Sequence, residues 1–233
     1  MTQGRKPRSP KKPLSKKVQN LIAELTRKSG TRDLPKRFLI VCEDGKSSVN
    51  YFNALRKHLG LSAASVMVAP SDNGRTQPIQ VVDRAIQIQK QASREPDPSR
   101  HFAHAWCVID GDFGHDKIQR ARGRANANAI ELAISTPCFE YWVVLHFEEF
   151  SRTNLNCDGM EQRVKKRLPS YEKGKTDFRK VVPMYGDACR RAKQQRQHQA
   201  NVLPERQDPC SESNRLIDAL GVPGGSAGER RPL

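Results

Sequence analysis

From residue 37 to residue 150 the chain alternates short continuous apolar runs with stretches whose apolar positions recur every three or four residues. RFLIVCE (37–43) is unbroken apolar chain ending in a carboxylate, the pattern of a central parallel strand buried on both faces. In SVNYFNALRKHL (48–59), Val49, Phe52, Leu55 and Leu59 form one stripe, so the segment predicts a helix. SVMVA (65–69) predicts a second strand. Ile79, Val82, Ala85, Ile86 and Gln89 mark a second helix, ended by the polar, proline-containing stretch 93–100. HAWCVID (104–110) predicts a third strand, again closed by a carboxylate. Residues 115–129 read as a polar helix and AIELAIS (129–135) as a fourth strand. PCFEYWVVLHFEEF (137–150) predicts a mostly buried helix with Pro137 in its first turn. Strict alternation of type predicts an α/β architecture, a Rossmann-like, mostly parallel four-stranded sheet flanked by helices over 34–150. Residues 151–223 predict a basic, mainly helical C-terminal part of the same domain, helical over 161–221.

The ends read differently. Residues 1–18 hold three prolines, seven Lys+Arg and little that is apolar, so a largely disordered basic arm is expected over 1–33, with a short helix from about Val18 to Lys28. GGSAGERRPL (224–233) predicts a flexible tail. No apolar run approaches the ~20 residues of a spanning helix, which excludes a helical membrane protein, and the basic start lacks the apolar stretch of a secretory signal. The six cysteines are scattered without a C-x-x-C pair, as expected of reduced thiols in a cytoplasmic protein. His101, His104 and Cys107 have metal-ligand types but straddle a loop and a strand with no fourth ligand near, so they do not read as a zinc site.

Charge changes the picture once it is partitioned. The chain carries 41 Lys+Arg against 25 Asp+Glu, a net of +16. Residues 1–33 hold 10 basic and 2 acidic side chains, and residues 161–206 hold 13 and 5, so each contributes +8. The remainder nets to zero. Two basic segments therefore flank a neutral body, a distribution suited to a polyanion. The second is interleaved with Leu168, Tyr171, Phe178, Val181, Val182 and Tyr185, which marks it as folded.

Candidate chemistry lies at strand ends, where open α/β sheets bind ligands. Glu43 follows the first strand, and Asp110 and Asp112 follow the third in a D-G-D spacing that lets both carboxylates face one side. Such crowding is relieved by a hard divalent cation with oxygen ligands, Mg²⁺ or Mn²⁺. An isolated D-x-D is also an ordinary turn; the combination with Glu43 is more specific, and it resembles the topoisomerase–primase (TOPRIM) arrangement.

RFLIVCEDGKSSVNYFNAL (37–55), WCVIDGDF (106–113) and AISTPCFEYWVVLHFEEF (133–150) together resemble the RloB family, TOPRIM-nuclease-related proteins of bacterial restriction and anti-phage defence loci. YEKGKTDF (171–178) and DPCSESNRLIDAL (208–220) extend the likeness. The resemblance implies a metal-dependent nuclease acting in defence by abortive infection. Glu43, Asp110 and Asp112 would be metal ligands and catalytic groups, with Glu43 as general acid/base. Glu140, in S-T-P-C-F-E-Y-W, reads either as a further catalytic carboxylate or as a complement to a helix dipole. Lys46, Lys173, Lys175, Arg190 and Arg191 are the expected phosphate contacts. Arg163, Lys165, Lys166 and Arg167 read as a solvated face, Phe139, Trp142 and Phe147 as core, and His146 as a satisfied core histidine. Where the family reads C-E-G-x-x-T-E-P-x-Y-F, this chain has C-E-D-G-K-S-S-V-N-Y-F, with Asp44 for the glycine and Ser48 for the second glutamate. Asp44 is an available substitute ligand, although its side chain is expected to point away from Glu43. No G-x-x-x-x-G-K-[ST] loop is present, so the chain is not expected to hydrolyse NTP itself. Expected partners are nucleic acid (DNA, or RNA such as tRNA), a second copy of the chain and, as the resemblance to defence loci implies, an ATPase encoded at the same locus. A non-catalytic nucleic-acid-binding or sensor module is the alternative.

Overall fold

Strand β1 (Arg37–Cys42) lies near the middle of a five-stranded sheet of order β2-β1-β3-β4-β5 in a computed structural model that describes residues 37–71, 77–154, 156–202 and 207–221. β2 (Val66–Pro70), β3 (Phe102–Asp110) and β4 (Ile130–Thr136) pair in parallel with β1 or with one another. The connecting helices are α1 (Ser47–His58), α2 (Pro78–Ala92) and α3 (His115–Asn126). β4 leads into the short α4 (Phe139–Val144), followed by α5 (Cys157–Arg167), α6 (Tyr185–His198) and α7 (Ser213–Ala219). The result is a Rossmann-like α/β fold. The described residues fall within one compact unit, Lys36–Leu233. The basic arm and the tail, with the helix expected at 18–28, lie outside the described residues.

The continuous apolar strands follow from burial on both faces. Phe38, Ile40 and Cys42 of β1 join Trp106 and Val108 of β3 in a core that packs α1 and α4 to α7. Leu39 and Val41 point the other way with Ala105, Cys107 and Ile109, under α2 and α3. Alternate side chains of one strand therefore serve two cores.

The structure corrects three expectations. The sheet has a fifth strand, β5 (Cys210–Ser211), antiparallel to β4 at Ser135 and Thr136, within a segment expected to be helical. Two residues after Pro209 carry no period, and only the partner strand defines them. Between α5 and α6 the chain makes turns and two 3-10 segments, Phe178–Lys180 and Val182–Met184, not continuous helix. The helix expected over 137–150 is regular only from Phe139 to Val144; Pro137 precedes it. Its end tightens into three-residue turns, the His146 and Phe147 N–H groups donating to Val143 and Val144 carbonyls at 3.2 and 2.9 Å. Among the described residues no helix is long and apolar enough to cross a membrane.

His146 is fully enclosed and its tautomer is set. Nδ1 lies 2.9 Å from the Trp142 carbonyl, which can only accept, so Nδ1 carries the proton. Nε2 then accepts from the Tyr51 hydroxyl at 2.9 Å. Burial is the main cause that lowers its pKa from 6.5 to about 4. The unfolded imidazole takes a proton below its ordinary pKa and the folded one resists, so stability from the neutral ring is complete above pH ~6.5 and lost toward pH 4. Unfolding in urea at pH 7 and pH 5 should show a stability drop about 2 kcal/mol larger for the wild type than for His146→Asn. Equal drops in the two proteins would remove this assignment.

Candidate carboxylate site

The order β2-β1-β3 makes the gap between β1 and β3 a topological switch point, since the connections from these two strands run to opposite sides. Glu43 and Asp110 stand at the carboxyl ends of these two strands. The Glu43 N–H continues the ladder to Val108 O at 2.9 Å, and its Oε2 accepts the Asp110 N–H at 2.9 Å. Asp110 Oδ1 in turn accepts the Phe139 N–H at 2.9 Å, which ties the β3 end to the start of α4. Gly111 must be glycine here: an added Cβ would lie 2.2 Å from Thr136 Oγ1 and 2.9 Å from Thr136 Cα. That close approach lets the chain turn past β4 and places Asp112, which is exposed, with Oδ2 3.8 Å from the Cys157 thiol.

Glu140 enters from the first turn of α4 and is 1% exposed. Its Oε1 accepts the Tyr171 hydroxyl at 2.7 Å and lies 3.6 Å from the Lys173 ammonium, whereas its Oε2 has no hydrogen-bond partner. Tyr171 and Lys173 belong to a turn built on itself, with the Lys175 and Thr176 N–H groups donating to the Glu172 carbonyl at 3.0 and 3.1 Å. It docks on the start of α1: the Gly174 N–H donates to Ser47 Oγ and Asn50 Nδ2 donates to the Gly174 carbonyl, each at 3.0 Å. Gly174 has φ +80, and the Lys46 stem packs where its side chain would be.

Burial and mutual repulsion dominate the electrostatics. Desolvation, with smaller contributions from Asp112 and Asp44, lifts Glu43 to about 8 against the opposing Asp110 N–H and Lys173. Asp110 is pushed well above the usual carboxylate range by desolvation, then by the Glu43 and Glu140 charges. Burial pulls Lys173 down, but Glu140 and Asp110 outweigh it and hold the ammonium above its ordinary value.

The structure thus gathers Glu43 and Glu140 around Asp110, with Asp112 acting on Glu43, Lys173 against Glu140 and the Lys46 stem against Gly174. The other expected phosphate contacts are engaged elsewhere. Lys175 pairs with Glu172, Arg190 pairs with Asp187 on its own helix at 2.6 Å, and Arg191 donates to the Leu145 carbonyl at 2.7 Å. Arg163 and Arg167, read as solvated, both pair with Glu148. Asp44 caps α1, accepting the Ser47 and Ser48 N–H groups at 2.7 and 3.0 Å and the Ser48 hydroxyl. The two departures from the family motif are therefore bonded to each other. Sequence reasoning missed Ser47 and Asn50 as anchors of the lysine turn, and the Tyr171 bond to Glu140. Neither a serine nor an asparagine at a helix start signals such a role, although Tyr171 lies in a quoted motif.

The donor set is all oxygen, as a hard divalent cation requires, and the unpartnered Glu140 Oε2 is a buried group with unused acceptor capacity. Among the described residues no three His, Cys, Asp or Glu side chains already stand as a ligand group; Glu43 and Asp110 are tied to backbone N–H groups instead. The residues fit such a cation chemically.

Fold and site define a Rossmann-like α/β protein with a carboxylate cluster at the switch point of its sheet. The RloB-like protein family model matches residues 38–220, so the chain belongs to that family. No curated protein and no solved structure gives a significant match.

Gly111→Ala should cost about 2 kcal/mol, because the backbone of Thr136 must move, and lower Tm by roughly 5 °C. A thermal unfolding midpoint within 1 °C of wild type would show that the approach to Thr136 is not needed.

Proposed function

We propose that the chain is a metal-dependent, TOPRIM-type endonuclease acting on nucleic-acid phosphodiesters, in anti-phage defence by abortive infection. The observation that carries this reading is the crowding of desolvated carboxylates, Glu43, Asp110 and Glu140 with Asp112 alongside, at one sheet edge beside Lys173. Glu43, Asp110 and Asp112 would hold Mg²⁺ or Mn²⁺, with the unpartnered Oε2 of Glu140 as an additional ligand. Such a cation supplies charge neutralisation at the scissile phosphate and a more acidic bound water. Glu43, at the end of β1, would also be the general acid/base, the role that the TOPRIM resemblance implies for it. Lys46 and Lys173 present cations to a phosphate approaching the same edge, without reading sequence. Glu140 is oriented by the Tyr171 hydroxyl, so its free oxygen faces a fixed environment. The resemblance to defence loci supports an ATPase from the same locus as partner.

One observation favours a second reading, a non-catalytic nucleic-acid-binding or sensor module: Ser48 replaces a carboxylate of the family motif, and Asp44 is committed to capping α1. Purified chain is incubated with single- and double-stranded DNA, tRNA and other RNA, in Mg²⁺, Mn²⁺ or EDTA. The nuclease reading expects cleavage that needs the cation and falls at least ~100-fold in Asp110→Asn and Glu43→Gln. Salt-sensitive binding without cleavage, unchanged by those substitutions, selects the binding module; the substrate panel separates DNA from RNA.

A further inference from the structure

The cluster already contains a cation of its own. The Lys173 ammonium is 3.6 Å from Glu140 Oε1, beyond hydrogen-bond length, so the contact is Coulombic and imposes little geometry. The Tyr171 hydroxyl holds the same oxygen at 2.7 Å from a ring that is 3% exposed. These two partners of Glu140 differ in freedom. Tyr171 is embedded in the core, whereas the Lys173 side chain is 47% exposed on a flexible four-carbon stem. The Lys173 turn is pinned by other groups, through Ser47, Asn50 and its own bonds to Glu172. Its ammonium can therefore leave Glu140 while the turn stays in place. Glu140 itself cannot follow into water, being 1% exposed with one oxygen already unpartnered. A buried carboxylate that loses its counter-ion needs another.

We propose that Lys173 is the exchangeable counter-ion of the carboxylate cluster: it neutralises Glu140 in the cation-free chain, yields Glu140 to a divalent cation, and turns to a substrate phosphate. This rests on the nuclease reading. One ammonium cannot neutralise Glu140 and a phosphate together, so cation and nucleic acid become coupled ligands. Cation binding frees a donor for the polyanion, and by linkage the polyanion must tighten cation binding by the same factor. The sign is specific. A lysine that only contacts phosphate repels the cation no more than any positive charge at that distance, whereas a competing counter-ion weakens cation binding further.

Mn²⁺ binding to the full chain is titrated calorimetrically without nucleic acid, for wild type, Lys173→Met, Lys173→Gln and Lys175→Met. Lys175 lies in the same turn but pairs with Glu172, so its variant controls for loss of a positive charge nearby. Both Lys173 variants should bind Mn²⁺ roughly three- to tenfold tighter than wild type, and Lys175→Met within about twofold of it. A single-stranded oligonucleotide should tighten Mn²⁺ binding to wild type but not to Lys173→Met. Lys173 variants that bind Mn²⁺ as wild type does, or more weakly, would overturn the counter-ion role while leaving the metal site standing. A wild type that binds no Mn²⁺ at millimolar concentration would remove the metal-dependent reading, and this inference with it.

Discussion

Glu43 reaches from the end of β1 to accept the backbone N–H of Asp110 at the end of β3, and the remaining geometry of the site is arranged around that contact. It spans the switch point of the sheet and draws a second carboxylate to within repulsive range of the first. Asp110 then ties to the Phe139 N–H, which brings Glu140 into the same neighbourhood. The Lys173 ammonium faces this concentration of acid from a turn fastened to α1. Each carboxylate is held by neutral N–H or O–H donors, which fix position without cancelling charge. The fold thereby keeps like charges close at a cost in stability, a feature that burial makes larger and that serves a function more readily than it serves folding.

Much of this was legible in the sequence because it depends on period and on strand ends. β1 and β3 are continuous apolar runs closed by Glu43 and Asp110, so both the parallel sheet and its acidic edge follow from the pattern. The rest depends on partners distant in sequence. β5 is two residues whose strand character exists only through Ser135 and Thr136. The shortened α4 is decided where the chain tightens after Val144. Tyr171 and Glu140 are 31 positions apart, and only folding the basic segment back onto α1 makes them neighbours. The partners of Arg190 and Arg191 are equally hidden: charge marks both as candidate phosphate contacts but does not reveal the ion pair to Asp187 or the hydrogen bond to the Leu145 carbonyl.

The altered β1–α1 turn is also physically coherent. The Ser48 hydroxyl joins the two backbone N–H groups on Asp44. The pair closes the start of α1, the helix that anchors the lysine turn. Where the resembled motif has a carboxylate, this chain thus has a serine that helps Asp44 close the helix start, and Glu43, Asp110, Asp112 and Glu140 form the candidate site.

The central claim is that burial beside Glu43 and Glu140 makes an ionised Asp110 unfavourable in the cation-free chain. Removing one charge without changing shape tests it directly: thermal unfolding of Asp110→Asn against wild type at pH 8 in EDTA. The amide oxygen still accepts the Phe139 N–H, so relief of repulsion should dominate and raise Tm by about 3 °C. A Tm below that of wild type would mean that the Asp110 charge stabilises the fold, and would contradict the account.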